Sequence, residues 1–114
     1  MAQITDAQTT LASLREMMRE FVSEREWGKY HTPKNLAAST VVEAAELLEL
    51  FQWLTPEEAI TKSQGDPAFR QAVAEELSDV FMYLMSLANA LDLDVASSVD
   101  AKMKKNRLKY PRGA

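Results

Sequence analysis

The chain has 114 residues, no cysteine, three glycines and a formal net charge of −4. That length accommodates one compact domain over residues 1–114 with its own core and is too short for two ordinary ones. The lack of cysteine removes disulfides, thiolate metal sites and a cysteine nucleophile, and 46% apolar residues with so little glycine disfavour disorder and a turn-rich β-sandwich. Charge is unevenly spread: residues 1–101 carry 7 basic and 17 acidic side chains, a balance of −10, and residues 102–114 carry +6. An acidic body repels nucleic-acid backbones, so neither DNA nor RNA is expected as a partner.

The first residues, Met1 to Asp6, lack a basic stretch followed by an apolar one, which argues against a secretory signal and for a cytoplasmic protein. From residue 5 to about residue 27 the apolar positions Leu11, Leu14, Met17, Met18, Phe21 and Val22 recur at helical spacing and predict a first, amphipathic helix. Residues 28–35 break the pattern with Gly28 and Pro33 and read as a loop. Residues 36–54 form a second helix, apolar on nearly its whole circumference. Thr55-Pro56-Glu57-Glu58 starts a short helix to about residue 62, with Thr55 as N-cap and Glu58 closing a capping box. Gly65-Asp66-Pro67 turns the chain into a third principal helix that runs to about residue 91, and a fourth spans residues 95–105. The longest uncharged apolar run, residues 80–91, is twelve residues, short of the roughly 20 needed to cross a bilayer, so no membrane association is expected. No segment alternates as a strand does. The fold class is therefore all-α, four principal helices in a bundle, whose second and third helices carry more apolar surface than the others can cover. A second subunit is the expected cover, giving a homodimer or homotetramer.

Within the two most apolar helices lie two carboxylate pairs, Glu43-x-x-Glu46 and Glu76-x-x-Asp79. Residues three apart share a helix face, so each pair sets like charges side by side in apolar surroundings. A divalent cation relieves that repulsion. Oxygen-only ligands suit Mg²⁺, or Mn²⁺ as the alternative, and Mg²⁺ held by carboxylates commonly works with substrate phosphates. On the third helix Tyr83 continues the stripe of Glu76 and Asp79, flanking a predicted core stripe of Val73, Leu77, Val80, Leu84, Leu87 and Leu91. On the second, Trp53 stands two turns beyond Glu46. The plainer account of each pair is a solvated acidic face; two pairs on successive apolar helices, each aligned with an aromatic, favour the site.

His31 is the sole histidine, so one chain cannot build a histidine-based zinc site, and the Glu-x-x-His pairs of di-iron bundles are missing. Trp27 and Trp53 are candidate platforms for a nucleobase beside the acids, against the commoner fate of packing in a core. Met17, Met18, Met82, Met85 and Met103 are assigned to packing. Of the C-terminal cations, most complement a helix dipole; Lys102 and Arg107 are the candidates to reach a polyphosphate.

These residues resemble a known family. Glu-x-x-Glu followed by Glu-x-x-Asp is similar to the MazG-like nucleoside triphosphate pyrophosphohydrolases of the all-α NTP pyrophosphatase superfamily. Glu24-Arg25-Glu26-Trp27, His31-x-Pro33-x-Asn35-Leu36, Phe51-Gln52-Trp53, Glu75-Glu76-Leu77-Ser78-Asp79-Val80 and Lys102-x-x-x-Asn106-Arg107-x-x-Tyr110-Pro111 resemble its dCTP pyrophosphatase branch over roughly residues 14–111. The resemblance implies Mg²⁺-dependent hydrolysis of a deoxynucleoside triphosphate, dCTP or a 5-modified dCTP, to monophosphate and pyrophosphate, in a role of sanitising the nucleotide pool. It implies Glu43, Glu46, Glu76 and Asp79 as metal ligands, contacts to base and sugar from Trp27, His31, Trp53 and Tyr83, and a dimer or dimer of dimers. Some relatives place a histidine in the first helix where this chain has Met18, so base selectivity differs there. The alternatives are the same chemistry on dUTP or dATP, and a non-catalytic helical interaction module.

Overall fold

A cap followed by proline opens three helices of the chain. The computed structural model describes residues 3–113, so Met1 and Ala2, on which part of the reading of the N-terminus rests, lie outside the described residues. Among these residues there are five α-helices, α1 (Leu11–Glu24), α2 (Pro33–Glu49), α3 (Pro56–Gly65), α4 (Pro67–Leu91) and α5 (Val95–Lys109), with a 3₁₀ turn at Gly28–Tyr30 and no strand. Thr32, Thr55 and Asp66 cap α2, α3 and α4, each with proline in the first helical turn, where its missing N–H costs nothing and its fixed φ suits the helix. The capping box is complete: the Glu58 amide donates to Thr55 Oγ1 at 3.1 Å and the Thr55 amide to Glu58 Oε1 at 2.9 Å.

The boundaries move where a local cap overrides periodicity. α1 starts at Leu11 rather than residue 5, because the Thr10 hydroxyl accepts from the Ser13 amide at 3.1 Å. Pro33 begins α2 instead of lying in a loop, and α2 stops at Glu49 rather than residue 54, the chain then turning through Phe51 to Leu54. α3 continues to Gly65 and α5 to Lys109, each longer than periodicity alone indicates. Two helices close with a Schellman pattern on a left-handed residue that is not glycine. At the end of α1 the Trp27 amide reaches Val22 O at 3.0 Å around Glu26 (φ 55°), and at the end of α4 the Leu93 amide reaches Ala88 O at 2.9 Å around Asp92 (φ 52°).

α2 and α4 form the core pair. Phe51, just past α2, meets Phe69 at the start of α4 edge to face at 5.4 Å, while Glu43 in the middle of α2 meets Glu76 further along α4. The two helices are therefore antiparallel, and Leu36 near the start of α2 is 2% exposed, a burial that contributes about 2 kcal/mol. α1 and α3 flank α4. α1 is tied to it by a reciprocal pair, Arg15 Nε donating to Asn89 Oδ1 at 2.9 Å and Asn89 Nδ2 donating to Arg15 O at 3.1 Å.

α5 leaves α4 at 103° and buries no side chain. The radius of gyration is accordingly 17.0 Å, against about 13 Å for a compact domain of 100 residues. The predicted core stripe of α4 is corrected in part: Val73, Val80 and Leu87 are half-buried, but Leu77, Leu84 and Leu91 are exposed, Leu77 by 53%. They turn outward because α2 takes the face that carries the acids. On α2, Val41, Val42 and Leu48 are likewise uncovered, Val41 by 69%. Met17 and Met103 are exposed too, so of the five methionines assigned to packing only Met85 is fully buried, with Met18 and Met82 half-buried. No single described helix is long and apolar enough to cross a membrane.

Candidate active site

The antiparallel pairing of α2 and α4 sets the two acidic pairs against each other. Carboxylate oxygens of Glu43, Glu46 and Glu76 all lie within 4.8 Å of one another. Glu43 and Glu76 are half-buried and Glu46 is exposed. Among the described residues Glu43 Oε2 and Glu76 Oε2 are buried with no hydrogen-bond partner, an arrangement costly in a folded protein. Asp79, half-buried one turn beyond Glu76, adds its charge to the same space.

This crowding is visible in protonation. Burial first, then a hydrogen bond and the charge of Glu46, then the charges of Asp79 and Glu76, push Glu43 up to about 7 from an ordinary 4.5. Glu76 is raised as well, by burial first and then by the charges of Glu46 and Asp79, against some relief from its hydrogen bond with Glu43. Every charge that acts on Glu43 or Glu76 among the described residues is acidic. Orphaned buried oxygens, an all-oxygen donor set and uncompensated negative charge fit a hard divalent cation.

Further along α4, between α1, the 3₁₀ turn and the C-terminal half of α4, lies a cavity of about 530 Å³ whose walls include Met18, Val22, Glu26, His31, Ser86 and Asn89. It continues the acidic stripe of α4, since Glu76, Asp79, Tyr83 and Ser86 fall at successive steps of three and four residues and so on one face.

His31, half-buried, belongs to the wall of the cavity, and Tyr83, half-buried, stands on α4 between the acids and Ser86. Trp27 lies between two residues of that wall, Glu26 and Gly28, is part-exposed and packs edge-on to Phe21 at 5.5 Å. Trp53 is not brought to the same place. It is 86% exposed beyond the far end of α2, about 25 Å from the His31 end by the rise of a 17-residue helix. Lys102 is also elsewhere, in an apolar groove between α4 and α5 formed by Leu84, Leu87 and Val99, and Arg107 is exposed near the end of α5. Ser86 and Asn89 were not legible in the sequence as cavity residues, although carrying the Glu76, Asp79, Tyr83 stripe one step further reaches Ser86.

Comparison with known proteins bears on this arrangement. The family model described as "MazG-like family" matches residues 38–114. The chain is 45% identical over 103 residues to dCTP pyrophosphatase 1 of Homo sapiens, covering 90% of this chain and 59% of that protein. To dCTP pyrophosphatase 1 of Bos taurus it is 41% identical over 105 residues, covering 92% and 62%. It thus spans about three fifths of the length of the curated relatives it matches. The crystal structure of a pyrophosphatase from Archaeoglobus fulgidus superposes with a TM-score of 0.83 at 39% identity, covering 96% of this chain and 100% of that one.

Proposed function

The chain belongs to the MazG-like family, and from that premise we propose that it hydrolyses a deoxynucleoside triphosphate, dCTP or a 5-modified dCTP, to the monophosphate and pyrophosphate. The observation that carries this reading is the cluster of Glu43, Glu46 and Glu76, with two buried carboxylate oxygens that no group among the described residues satisfies. Similarity to proteins named dCTP pyrophosphatase 1 supports the choice of base. The domain is taken as residues 1–114 and the setting as cytoplasmic, in keeping with a chain without cysteine.

Glu43, Glu46, Glu76 and Asp79 would hold the cation, Mg²⁺ or Mn²⁺ by the hardness of their oxygens. When bound there, such an ion supplies neutralisation of phosphate charge and acidification of water. Glu43 and Glu76, the half-buried pair, fix the position of that charge. Glu46, the exposed member, takes the proton of the attacking water at a carboxylate oxygen. Tyr83, His31 and Trp27 are assigned to the base and sugar. Trp53, far from the His31 end of its own chain, shares in one site with them through a second subunit, as do Lys102 and Arg107. The uncovered apolar residues of α2 and α4 support a homodimer or a dimer of dimers.

Glu46→Gln and Asp79→Asn, each keeping shape and removing one charge, are expected to lose turnover by at least about a hundredfold with helicity unchanged. Near-normal turnover of both in Mg²⁺ would sink the metal-site assignment. The same chemistry on dUTP or dATP is the second reading, and a panel of triphosphates decides between them.

A further inference from the structure

Close packing does not fix the direction of α5. The helix leaves α4 at 103° and buries no side chain. Between the two lies an open apolar groove of about 340 Å³, bordered by Leu84, Leu87, Leu93, Val95 and Val99, where interlocked side chains would otherwise hold the angle. The connection itself is short, Asp92-Leu93-Asp94. Its amides are engaged by the end of α4, Asp92 donating to Asn89 O at 3.3 Å and Leu93 to Ala88 O at 2.9 Å. Asp94 then caps α5, accepting from the Ser97 amide at 3.0 Å and the Ser97 hydroxyl at 2.6 Å.

Arg15 reaches this corner from α1. It is 9% exposed, and it makes no ion pair with a carboxylate among the described residues. Buried charges are usually paired, and for filling space an apolar side chain would serve as well. What the guanidinium adds is direction. Its Nε donates to Asn89 Oδ1 at 2.9 Å while Asn89 Nδ2 donates to the Arg15 carbonyl at 3.1 Å, so the amide is gripped at both ends. The same positive charge acts on Asp94. That carboxyl is held below its usual range, first by the Ser97 hydroxyl and amide and then, against the cost of desolvation, by Arg15. One side chain of α1 therefore works on the last turn of α4 and on the cap of α5.

We propose that Arg15 is a positioning residue that sets the angle of the α4–α5 elbow, through its grip on Asn89 and its attraction for Asp94, and so fixes where α5 presents Lys102 and Arg107. The elbow stands on this geometry alone. That the two cations then meet a polyphosphate rests on the reading of the protein as a nucleotide hydrolase.

The chain has no cysteine, so Gln71→Cys on α4 and Lys105→Cys on α5, both at exposed positions, provide two unique sites for spin labels. The distance between them is read by pulsed electron resonance on the whole chain, diluted with unlabelled chains and without nucleotide. With Arg15 in place a single narrow distribution is expected. Arg15→Met, which keeps an apolar stem and removes the donors, and Asn89→Ala, which removes the gripped amide, should each shift or broaden it by about 5 Å, roughly one helical pitch, with helicity retained. Arg15→Lys, which has the charge without the fork, should restore it only in part. A distribution unchanged in Asn89→Ala and in folded Arg15→Met, even with a lowered melting temperature, makes Arg15 a packing residue and overturns the proposal. A broad distribution in the wild type overturns it too. In turnover, KM for dCTP is expected to rise severalfold in Arg15→Met and kcat to change less. Absence of turnover by the wild type on every nucleotide instead removes the hydrolase reading, and the distances still decide the elbow.

Discussion

Burial and three neighbouring carboxylates push Glu43 up to about 7, so between pH 4.5 and 7 the folded protein, stripped of divalent cations, keeps a proton that the unfolded chain has lost. Stability then falls as pH rises through that window, because the folded state binds more protons than the unfolded one; above about 7 both forms are ionised and the repulsion stays in full. The raised Glu76 acts in the same direction. In EDTA, the melting temperature is therefore expected to drop by a few degrees from pH 5 to pH 7.5. Glu43→Gln should flatten the profile, and Mg²⁺ should raise the wild-type value at pH 7.5 and not at pH 5. A wild-type profile that rises with pH over this range, with Glu43→Gln following the same course, would contradict the description of the cluster. At this scale the meeting of Glu43, Glu46 and Glu76 was legible because charge inside apolar helices is a visible anomaly. Ser86 was not, since a serine among apolar residues looks ordinary until its hydroxyl is seen to lack a partner among the described residues.

Helix starts were the most legible elements, and the reason is local chemistry. Thr55-Pro56-Glu57-Glu58 and Asp66-Pro67 contain in four residues or fewer everything the first turn needs, and both operate as read. Thr55→Ala should cost about 1 kcal/mol, seen as a melting temperature lowered by about 4–8 °C, with the response to Mg²⁺ retained. No change in melting temperature would show that the box contributes nothing to α3. Helix ends and faces were less legible. The exit of α1 relies on Glu26 in a left-handed conformation more at home with glycine, which composition does not announce. Periodicity marks that one side of α4 is apolar, but the side that is buried depends on which helix packs there. α2 takes the acidic side, and Leu77, Leu84 and Leu91 are left outward.

Those outward leucines dominate the whole molecule. A protomer with a 17.0 Å radius of gyration, an α5 that buries nothing and an uncovered apolar stripe on α4 presents a surface of the kind that subunits cover. Light scattering is expected to give a dimer or larger species, and Phe81→Glu, which sets a charge in the stripe beside Leu77 and Leu84, should shift it toward monomer with reduced turnover. A wild-type protein that stays monomeric at all concentrations would remove the second subunit from the site, and with it the roles given to Trp53, Lys102 and Arg107. The all-helical class and the excess of apolar surface were legible from pattern alone. How α5 leaves the body was not legible from pattern, since its 103° bend from α4 leaves no mark in the periodicity of either helix. The central claim, that the carboxylate cluster works on nucleotide phosphates through a divalent cation, is tested most directly by pyrophosphate release from dCTP, 5-modified dCTPs and the other deoxynucleotides, in Mg²⁺ and in EDTA. Turnover of dCTP or its derivatives that requires Mg²⁺ and stops in EDTA is the predicted result; no pyrophosphate from any nucleotide in Mg²⁺ would contradict the account and leave a helical interaction module in its place.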